Sequence, residues 1–326
     1  MRAVVCRSYG PPENLVIEEV APLEPGAGQV VVGVQAAGVN FPDTLMIQGR
    51  YQTKPPLPFT PGFEVAGVVK KVGAGVTSAK VGDRVTAFVN WGGFAEEVVA
   101  DASMLVPIPQ GMDVTTAAAF LITYGTASYA LQDRAHLRPG ETLLVLGAAG
   151  GVGLAAVELG RLLGARVIAA ASSDDKLAIC KEHGAHAVIN YRNEDLRERL
   201  KQLTAGNGVD VACDPVGGPY AEAVLRAMAW GGRFLVIGFA AGEIPRVPLN
   251  LTLLKGSAIV GIFWGAFTER EPRRNREIIR ELLTWIVAGK VRPLVSATYP
   301  LERAADALHA VLRREVKGKI VLLTRP

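Results

Sequence analysis

The sequence predicts a two-domain α/β protein, and three observations carry that expectation. Six short apolar runs alternate with helical segments between residues 143 and 263. The first of them, Leu143-Leu144-Val145-Leu146, runs straight into the glycine-rich turn Ala148-Ala149-Gly150-Gly151-Val152-Gly153 and then a helical stretch. Before that alternation, up to about residue 110, the chain is Val-rich and punctuated by Gly, Pro and Asp, the signature of short strands. At 326 residues the chain has room for two domains.

The elements follow in order. Residues 1–7 carry a short apolar run broken by Arg7, which reads as an opening strand and not as a signal peptide. Strands are expected at 15–20, 29–36, 64–72, 84–89 and 94–100, with Lys54-Pro55-Pro56-Leu57-Pro58 marking a loop. Asp113 is placed to cap a helix running through Leu121. The uncharged stretch 114–132 holds too many hydroxyls for a membrane span and reads as a buried helix followed by a turn. Strands at 143–146, 167–171, 187–189, 209–213, 234–237 and 259–263 are then separated by helices at 152–163, 176–183, 194–204 and 220–228. Six apolar strands with crossover helices make a doubly wound parallel sheet. A helix at 275–288 closes it, and the tail (strand 294–299, helix 301–313, strand 319–323) is expected to fold back onto the first domain. The domains are therefore drawn as 1–120 with 290–326, β-rich, and 121–289, built on the doubly wound sheet.

Composition narrows the function classes. The chain is 49% hydrophobic and 20% charged, with a net charge of +4. That permits a large core and argues against disorder. No Lys/Arg block exists, so a nucleic-acid footprint is not expected; the small excess suits attraction of an anionic cofactor. Cys6, Cys180 and Cys213 are far apart and form no CxxC pair, which points to free thiols in a reducing cytoplasm.

Aligned on GxGxxG, the turn reads Ala148-x-Gly150-x-x-Gly153, with alanine in place of the first glycine. Gly150 lets the backbone approach a pyrophosphate and Gly153 lets helix and strand pack closely. Gly151 and Val152 open a helix whose free N–H groups and positive dipole end favour phosphate. An NAD enzyme carries an acid about 20 residues further on. Here that place holds Ser172, followed by Ser173, Asp174, Asp175 and Lys176. A small hydroxyl and Lys176 suit a 2′-phosphate, with Asp174 and Asp175 expected to cap the next helix. Tyr191, at the end of the third strand, either reaches the same phosphate or packs at the strand end. The cofactor expected is NADPH.

Several local sequences, in order, carry a wider resemblance. They are Ala37-Gly38-Val39-Asn40-Phe41-Pro42-Asp43, Gly62-Phe63-Glu64-Val65-Ala66-Gly67, Val81-Gly82-Asp83-Arg84-Val85, Thr123-Tyr124-Gly125-Thr126-Ala127, the turn at 148–153, Gly184-Ala185-His186-Ala187-Val188-Ile189-Asn190-Tyr191, Asp214-Pro215-Val216-Gly217-Gly218 and Gly318-Lys319-Ile320-Val321. Together the chain resembles the medium-chain dehydrogenase/reductase superfamily, and within it the zinc-independent quinone oxidoreductases, the zeta-crystallin-like group. The resemblance implies a Rossmann sheet plus a GroES-like catalytic domain. It also implies that Asn40, Thr123, Gly150, Val152, Ser172, Lys176, Tyr191, Val216, Phe239 and Phe263 touch the cofactor. Zinc-dependent members hold metal with a Cys, a His and a second Cys or Asp; here Asn40 stands for the first Cys and Phe63 for the His, and no four-cysteine lobe is present. No metal is expected. Histidines 136, 183, 186 and 309 read as surface residues. Leu45 and Ile47 replace a Tyr and an Arg common in the better-known quinone oxidoreductases, which changes the pocket's shape and polarity.

Without a Lewis acid, the chemistry implied is hydride delivery to an already electrophilic carbon. Asn40 is a hydrogen-bond partner for substrate or nicotinamide ribose, or a loop brace. Tyr51 donates to a developing enolate, or walls the cleft. Phe63, Trp91, Phe263 and Trp264 form an aromatic acceptor pocket between the domains, or are core. Quinone reduction leads, with enoyl or alkenal reduction on the same scaffold as its rival and a low-turnover nucleotide- or RNA-binding protein third. A homodimer is expected through the apolar run 259–263, which fits an edge strand and an internal strand equally.

Overall fold

A computed structural model describes residues 1–324, and the chain divides into two compact units: Met1–Ile122 joined by the stretch from Pro293, and Thr123–Arg292. In the first unit a seven-stranded sheet runs in the spatial order Val295–Pro300, Lys319–Leu323, Gln29–Val39, Glu64–Val72, Arg84–Phe88 and Leu105–Pro107, with Glu97–Asp101 also paired to Gln29–Val39. A separate two-stranded ribbon pairs Arg2–Cys6 with Leu15–Glu19. Strand Gln29–Val39 is the longest because it serves three neighbours, and all but two of its eleven residues are buried. The C-terminal segment belongs to this unit: Leu301, Ala304, Leu308, Ile320 and Leu322 share one core with Val32, Met46, Phe63 and Phe94.

The second unit is built on a six-stranded sheet in which every pair is parallel. Its spatial order is Ala187–Asn190, Arg166–Ala171, Thr142–Leu146, Val209–Asp214, Met228–Val236, Ala258–Gly261. In chain order these are the third, second, first, fourth, fifth and sixth strands. The direction of winding reverses at Thr142–Leu146, which is where a doubly wound sheet opens its ligand crevice beyond the strand C-termini.

Two expectations change. The helix foreseen from Asp113 to Leu121 is broken: Val114–Ala117 is one turn, and a second helix, Leu121–Ser128, continues into a π-helical turn at Tyr129–Arg134. Side chains divert the backbone groups at the break. The carbonyl of Ala117 accepts from the Thr86 hydroxyl at 2.8 Å, and the N–H of Ile122 donates to Glu64 at 3.1 Å. Helices Phe41–Met46, Asn250–Lys255 and Trp264–Arg270 were not anticipated. The strand Ala258–Gly261 lies at the sheet edge, which resolves the two placements left open for it. Among the described residues, no helix is long and apolar enough to cross a membrane.

Candidate active site

The glycine-rich turn sits at the winding reversal. Gly147 takes φ +56°, Gly150 closes the turn by donating to the Gly147 carbonyl at 2.9 Å, and the helix Gly151–Leu162 begins behind it. Gly147, one residue before the alignment, does the work assigned to the first glycine of the motif, so Ala148 is tolerated. Gly153 is required for another reason: a Cβ there would lie 2.3 Å from the Gly147 carbonyl oxygen. Above Gly150 the nearest atom to a Cβ is 3.4 Å away, so backbone is open to a ligand there. The residues present therefore fit a pyrophosphate on the first turn of a helix.

Sheet register assembles the next group. Asn190 pairs with Ala171, which sets Tyr191 beside Ser172, and the Tyr191 N–H donates to the Ala171 carbonyl at 3.2 Å. Lys176, one helical turn past Ser172, donates to its hydroxyl at 3.4 Å. The Tyr191 ring rests on Tyr220 with centroids 4.5 Å apart, so packing is part of its role. The two acids nearby do not cap the helix Asp174–Glu182, whose N-cap is Ser173. They occupy its first turn, where negative charge suits the helix dipole. Asp174 accepts from the Asn190 amide at 2.8 Å and Asp175 from the Ser173 hydroxyl at 2.5 Å.

A third loop follows Val209–Asp214. The buried Asp214 carboxylate accepts from the N–H groups of Val216 and Gly217, both at 2.8 Å, while burial pushes its pKa up. Gly217 and Gly218 take φ +65° and +64°, which lets the loop turn back on itself. Phe239 lies over Gly217, where a Cβ would come 2.8 Å from its ring. Val216 and Phe239 are thus brought to one loop cluster.

In the first unit, register again builds the site. Ile320 pairs with Val39 and Glu64 with Gly38, so Lys319, Asn40 and Glu64 converge where three strands begin or end. The Lys319 ammonium donates to Glu64 Oε1 and Asn40 Oδ1, each at 2.6 Å, and to the Val39 carbonyl at 2.9 Å. Asn40 Nδ2 donates to Glu64 Oε1 at 3.0 Å and to the Gly38 carbonyl at 3.3 Å. Gly38 makes room for this, since a Cβ there would lie 2.6 Å from Glu64 Oε1. Asp43, fully buried, accepts from the N–H of Asn40 at 2.7 Å and that of Gly62 at 3.0 Å. Burial raises its pKa to about 7, against the pull of those two N–H groups and of Lys319.

Comparison with known proteins agrees with this architecture. The alcohol dehydrogenase GroES-like domain matches residues 26–110, and the zinc-binding dehydrogenase domain matches residues 151–286. A quinone oxidoreductase-like protein 2 homolog from Nematostella vectensis is 42% identical over 99% of this chain and 89% of its own length. The quinone oxidoreductase of Rattus norvegicus is 35% identical over 99% and 98%. The crystal structure of Escherichia coli quinone oxidoreductase complexed with NADPH is 31% identical, covers 99% of this chain and 100% of its own, and matches with a TM-score of 0.93. The chain belongs to the quinone oxidoreductase group of the medium-chain dehydrogenase/reductase superfamily.

For a member of that group, the aromatic residues need redrawing. Phe63 is 4% exposed, with Tyr51 edge-on at 5.4 Å and Phe88 stacked at 6.4 Å, so it is core of the first unit and not pocket lining. Trp264 is equally buried and packs on Gly125, which has no side chain to obstruct it. Trp91 and Phe263 are exposed at 41% and 51% and remain open to a ligand. Thr123 is buried at the start of the second unit. Tyr51 is half-buried, and desolvation followed by the Asp43 charge makes its phenol a weaker acid than usual.

His183 is partly buried and tied into a cluster. Its Nδ1 lies 2.7 Å from Glu158, a buried carboxylate that also takes the Tyr124 hydroxyl at 2.7 Å and the Arg292 N–H at 3.2 Å. Sequence reasoning missed this cluster, the position of Gly147, and the roles of Lys319, Glu64 and Asp43. The available signal was a charged residue heading an apolar run, Glu64 before Val65-Ala66-Gly67-Val68-Val69 and Lys319 before Ile320-Val321-Leu322-Leu323.

Proposed function

We propose that this protein reduces quinones with NADPH by hydride transfer and without a metal ion. The observation that carries the reading is the Ser172–Lys176–Tyr191 group beside the glycine turn. A serine stands where an NAD enzyme places an acid, and a cation lies one turn beyond it. When bound, the reduced nicotinamide supplies the hydride. Gly150, Gly151, Val152 and Gly153 hold the pyrophosphate, and Val216 and Phe239 line the loop beyond it. Thr123, Phe263 and Asn40 are further cofactor contacts on this reading.

Metal independence rests on donor chemistry. Phe63 offers no ligand atom, and a divalent cation beside Asn40 and Glu64 would meet the Lys319 ammonium, a like charge within 2.6 Å of both. Tyr51, with its weakened acidity, serves as a hydrogen-bond donor to the acceptor oxygen and not as a proton source. Trp91 supplies apolar surface for the ring of the acceptor. The assembly proposed is a homodimer: the edge strand Ala258–Gly261 has one unpaired side, and Trp230, Leu253, Leu254 and Ile259 are exposed around it. Three free, buried cysteines accord with a cytoplasmic setting.

The test is steady-state turnover with a quinone panel against enones and enoyl thioesters, NADPH and NADH compared. Lys176→Ala should raise the KM for NADPH about tenfold, the worth of one charge-assisted hydrogen bond, and leave that for NADH within about twofold. Equal effects on the two nucleotides would remove the cofactor assignment, and faster turnover of enones would move the protein to the alkenal reductases.

A further inference from the structure

A cavity in the second unit lies at the opposite end of the sheet from the glycine turn. That turn follows the C-terminal end of Thr142–Leu146, whereas the cavity sits where the parallel strands Val209–Asp214 and Met228–Val236 begin. Its volume is about 190 Å³. The floor is backbone. Gly208 takes φ +84°, and a Cβ there would lie 2.7 Å from the Ala227 carbonyl oxygen, so glycine lets the loop lie flat against the start of the next strand.

Three helices supply the walls, and together they bring four cations to one place. Arg197 and Lys201 come from Leu196–Leu203, Arg226 from Tyr220–Arg226 and Lys255 from Asn250–Lys255. Glu198 is the one acid lining the cavity. Arg226 is neutralised by Glu222, which accepts from its Nε at 2.9 Å and its Nη2 at 2.6 Å. Arg197, Lys201 and Lys255 make no ion pair among the described residues, so the cavity keeps an excess of two positive charges. The helix dipoles account for only part of this. Lys201, Arg226 and Lys255 stand in last turns, where a cation is favoured. Arg197 stands in a first turn, where the dipole opposes it, and four residues from Lys201, a like-charge spacing that weakens a helix.

We propose that this cavity binds a compact phosphoryl anion, a diphosphate foremost, at a site separate from the dinucleotide. Charge and size select the class. An excess of two positive charges calls for an anion carrying at least two negative ones, and Lys and Arg side chains reaching in from several helices can donate to several oxygens of one phosphoryl group. The volume holds about six waters and falls below the ~300 Å³ of clefts that bury whole small molecules, so a diphosphate fits and a nucleotide does not. None of Ser172, Lys176, Tyr191, Val216 or Phe239 lines the cavity, so the site stands apart from the cofactor reading.

The experiment is titration calorimetry at low salt with inorganic phosphate, inorganic diphosphate and methyl diphosphate, each with and without saturating NADP+. One diphosphate should bind per chain in the presence of the nucleotide, more tightly than monophosphate. Tighter binding of the free diphosphate would mark the ligand as the ion itself, and equal binding of the methyl ester would mark it as the head of a larger molecule. Lys201→Ala and Lys255→Ala should each weaken diphosphate about tenfold, the worth of one charge-assisted hydrogen bond, and leave NADP+ binding unchanged, which also shows that the variants are folded. Glu198→Gln should strengthen it about two- to threefold by removing a like charge. Lys176→Ala should leave it unchanged. Loss of all diphosphate binding when NADP+ is present, or weakening in Lys176→Ala and not in the two cavity variants, would place the anion at the glycine turn and overturn the proposal. So would no binding up to about 10 mM diphosphate, or retention of single-stranded RNA that diphosphate does not displace.

Discussion

Each unit of the molecule holds a deeply buried glutamate, Glu64 in the first and Glu158 in the second, and the two are satisfied by opposite means. Glu64 is matched by a full positive charge: Lys319 at 2.6 Å, with the Asn40 amide and the Ile122 N–H completing its shell. Glu158 is matched by the Tyr124 hydroxyl, His183 and the Arg292 N–H, with no Lys or Arg side chain among the described residues in its contacts. The first arrangement orients a neighbour and is expensive to disturb, because desolvating two charges is repaid only while both are present. The second spreads a carboxylate over several moderate bonds, any one of which can be lost with limited consequence. It also ties together chain segments: Tyr124 and Arg292 lie within two residues of the points where the chain enters and leaves the second unit.

The sharpest way to break this comparison is to remove one charge from the first unit. Lys319→Met leaves Glu64 buried and uncompensated, and should cost about 3–5 kcal/mol of stability. Adding Glu64→Gln should recover most of that loss. Urea unfolding gives the totals, and hydrogen exchange resolved by segment should localise the loss to Gln29–Val39, Glu64–Val72 and Lys319–Leu323. A single variant no less stable than the double one would mean that the pair is solvated and that the contrast with Glu158 is false.

Next in size is the pH dependence contributed by Asp43. Its pKa rises from 3.8 to about 7 in the folded protein, chiefly through burial. The folded state thus holds this proton more tightly than the unfolded chain. The associated stability is complete below about pH 4, declines as pH rises towards 7 and is absent above it. The ceiling is roughly 4 kcal/mol across that window. Asp43→Asn removes the titration, so the difference between wild type and variant should slope with pH between 4 and 7 and flatten outside it. A flat difference throughout would show that Asp43 stays ionised, held by its two backbone donors.

These expectations also mark how far the sequence alone could be read. The sheet of the second unit was legible because its signal is local: each apolar run and its helix lie within about 30 residues, and the glycines that permit the turn are adjacent to it. The proximity of Ser172, Lys176 and Tyr191 was legible for the same reason, since a strand end and the next helix turn lie at a countable distance. The cluster around Asn40 was not. Its members are separated by as many as 279 residues, and only the register of three strands brings them together. Phe63 was left between two readings because an aromatic after a glycine looks alike whether it faces a ligand or a core. Its neighbours, Tyr51 and Phe88, come from segments 12 residues before it and 25 after. Lys319 was visible only as part of a motif, with no partner that sequence could name.

The smallest expected effects come from the second unit and sharpen the comparison. Glu158→Gln keeps the shape of the side chain and one acceptor oxygen but presents an N–H2 to at least one group that donates, and should cost about 1–3 kcal/mol. Its partners should matter less singly. Tyr124→Phe deletes one donor from a carboxylate that keeps the others, and the void it leaves is that of one hydroxyl, so about 1 kcal/mol is expected. His183→Gln should cost less still, about 0.5 kcal/mol, because the imidazole is partly exposed and a glutamine amide can donate to the same oxygen. The ordering is the point of the series. If carboxylate burial alone set the cost, removing His183 or Tyr124 would approach the loss seen for Lys319→Met. If the kind of partner sets it, the two units should differ severalfold for the removal of one partner each, and hydrogen exchange in Leu121–Ser128 and Gly151–Leu162 should change only modestly.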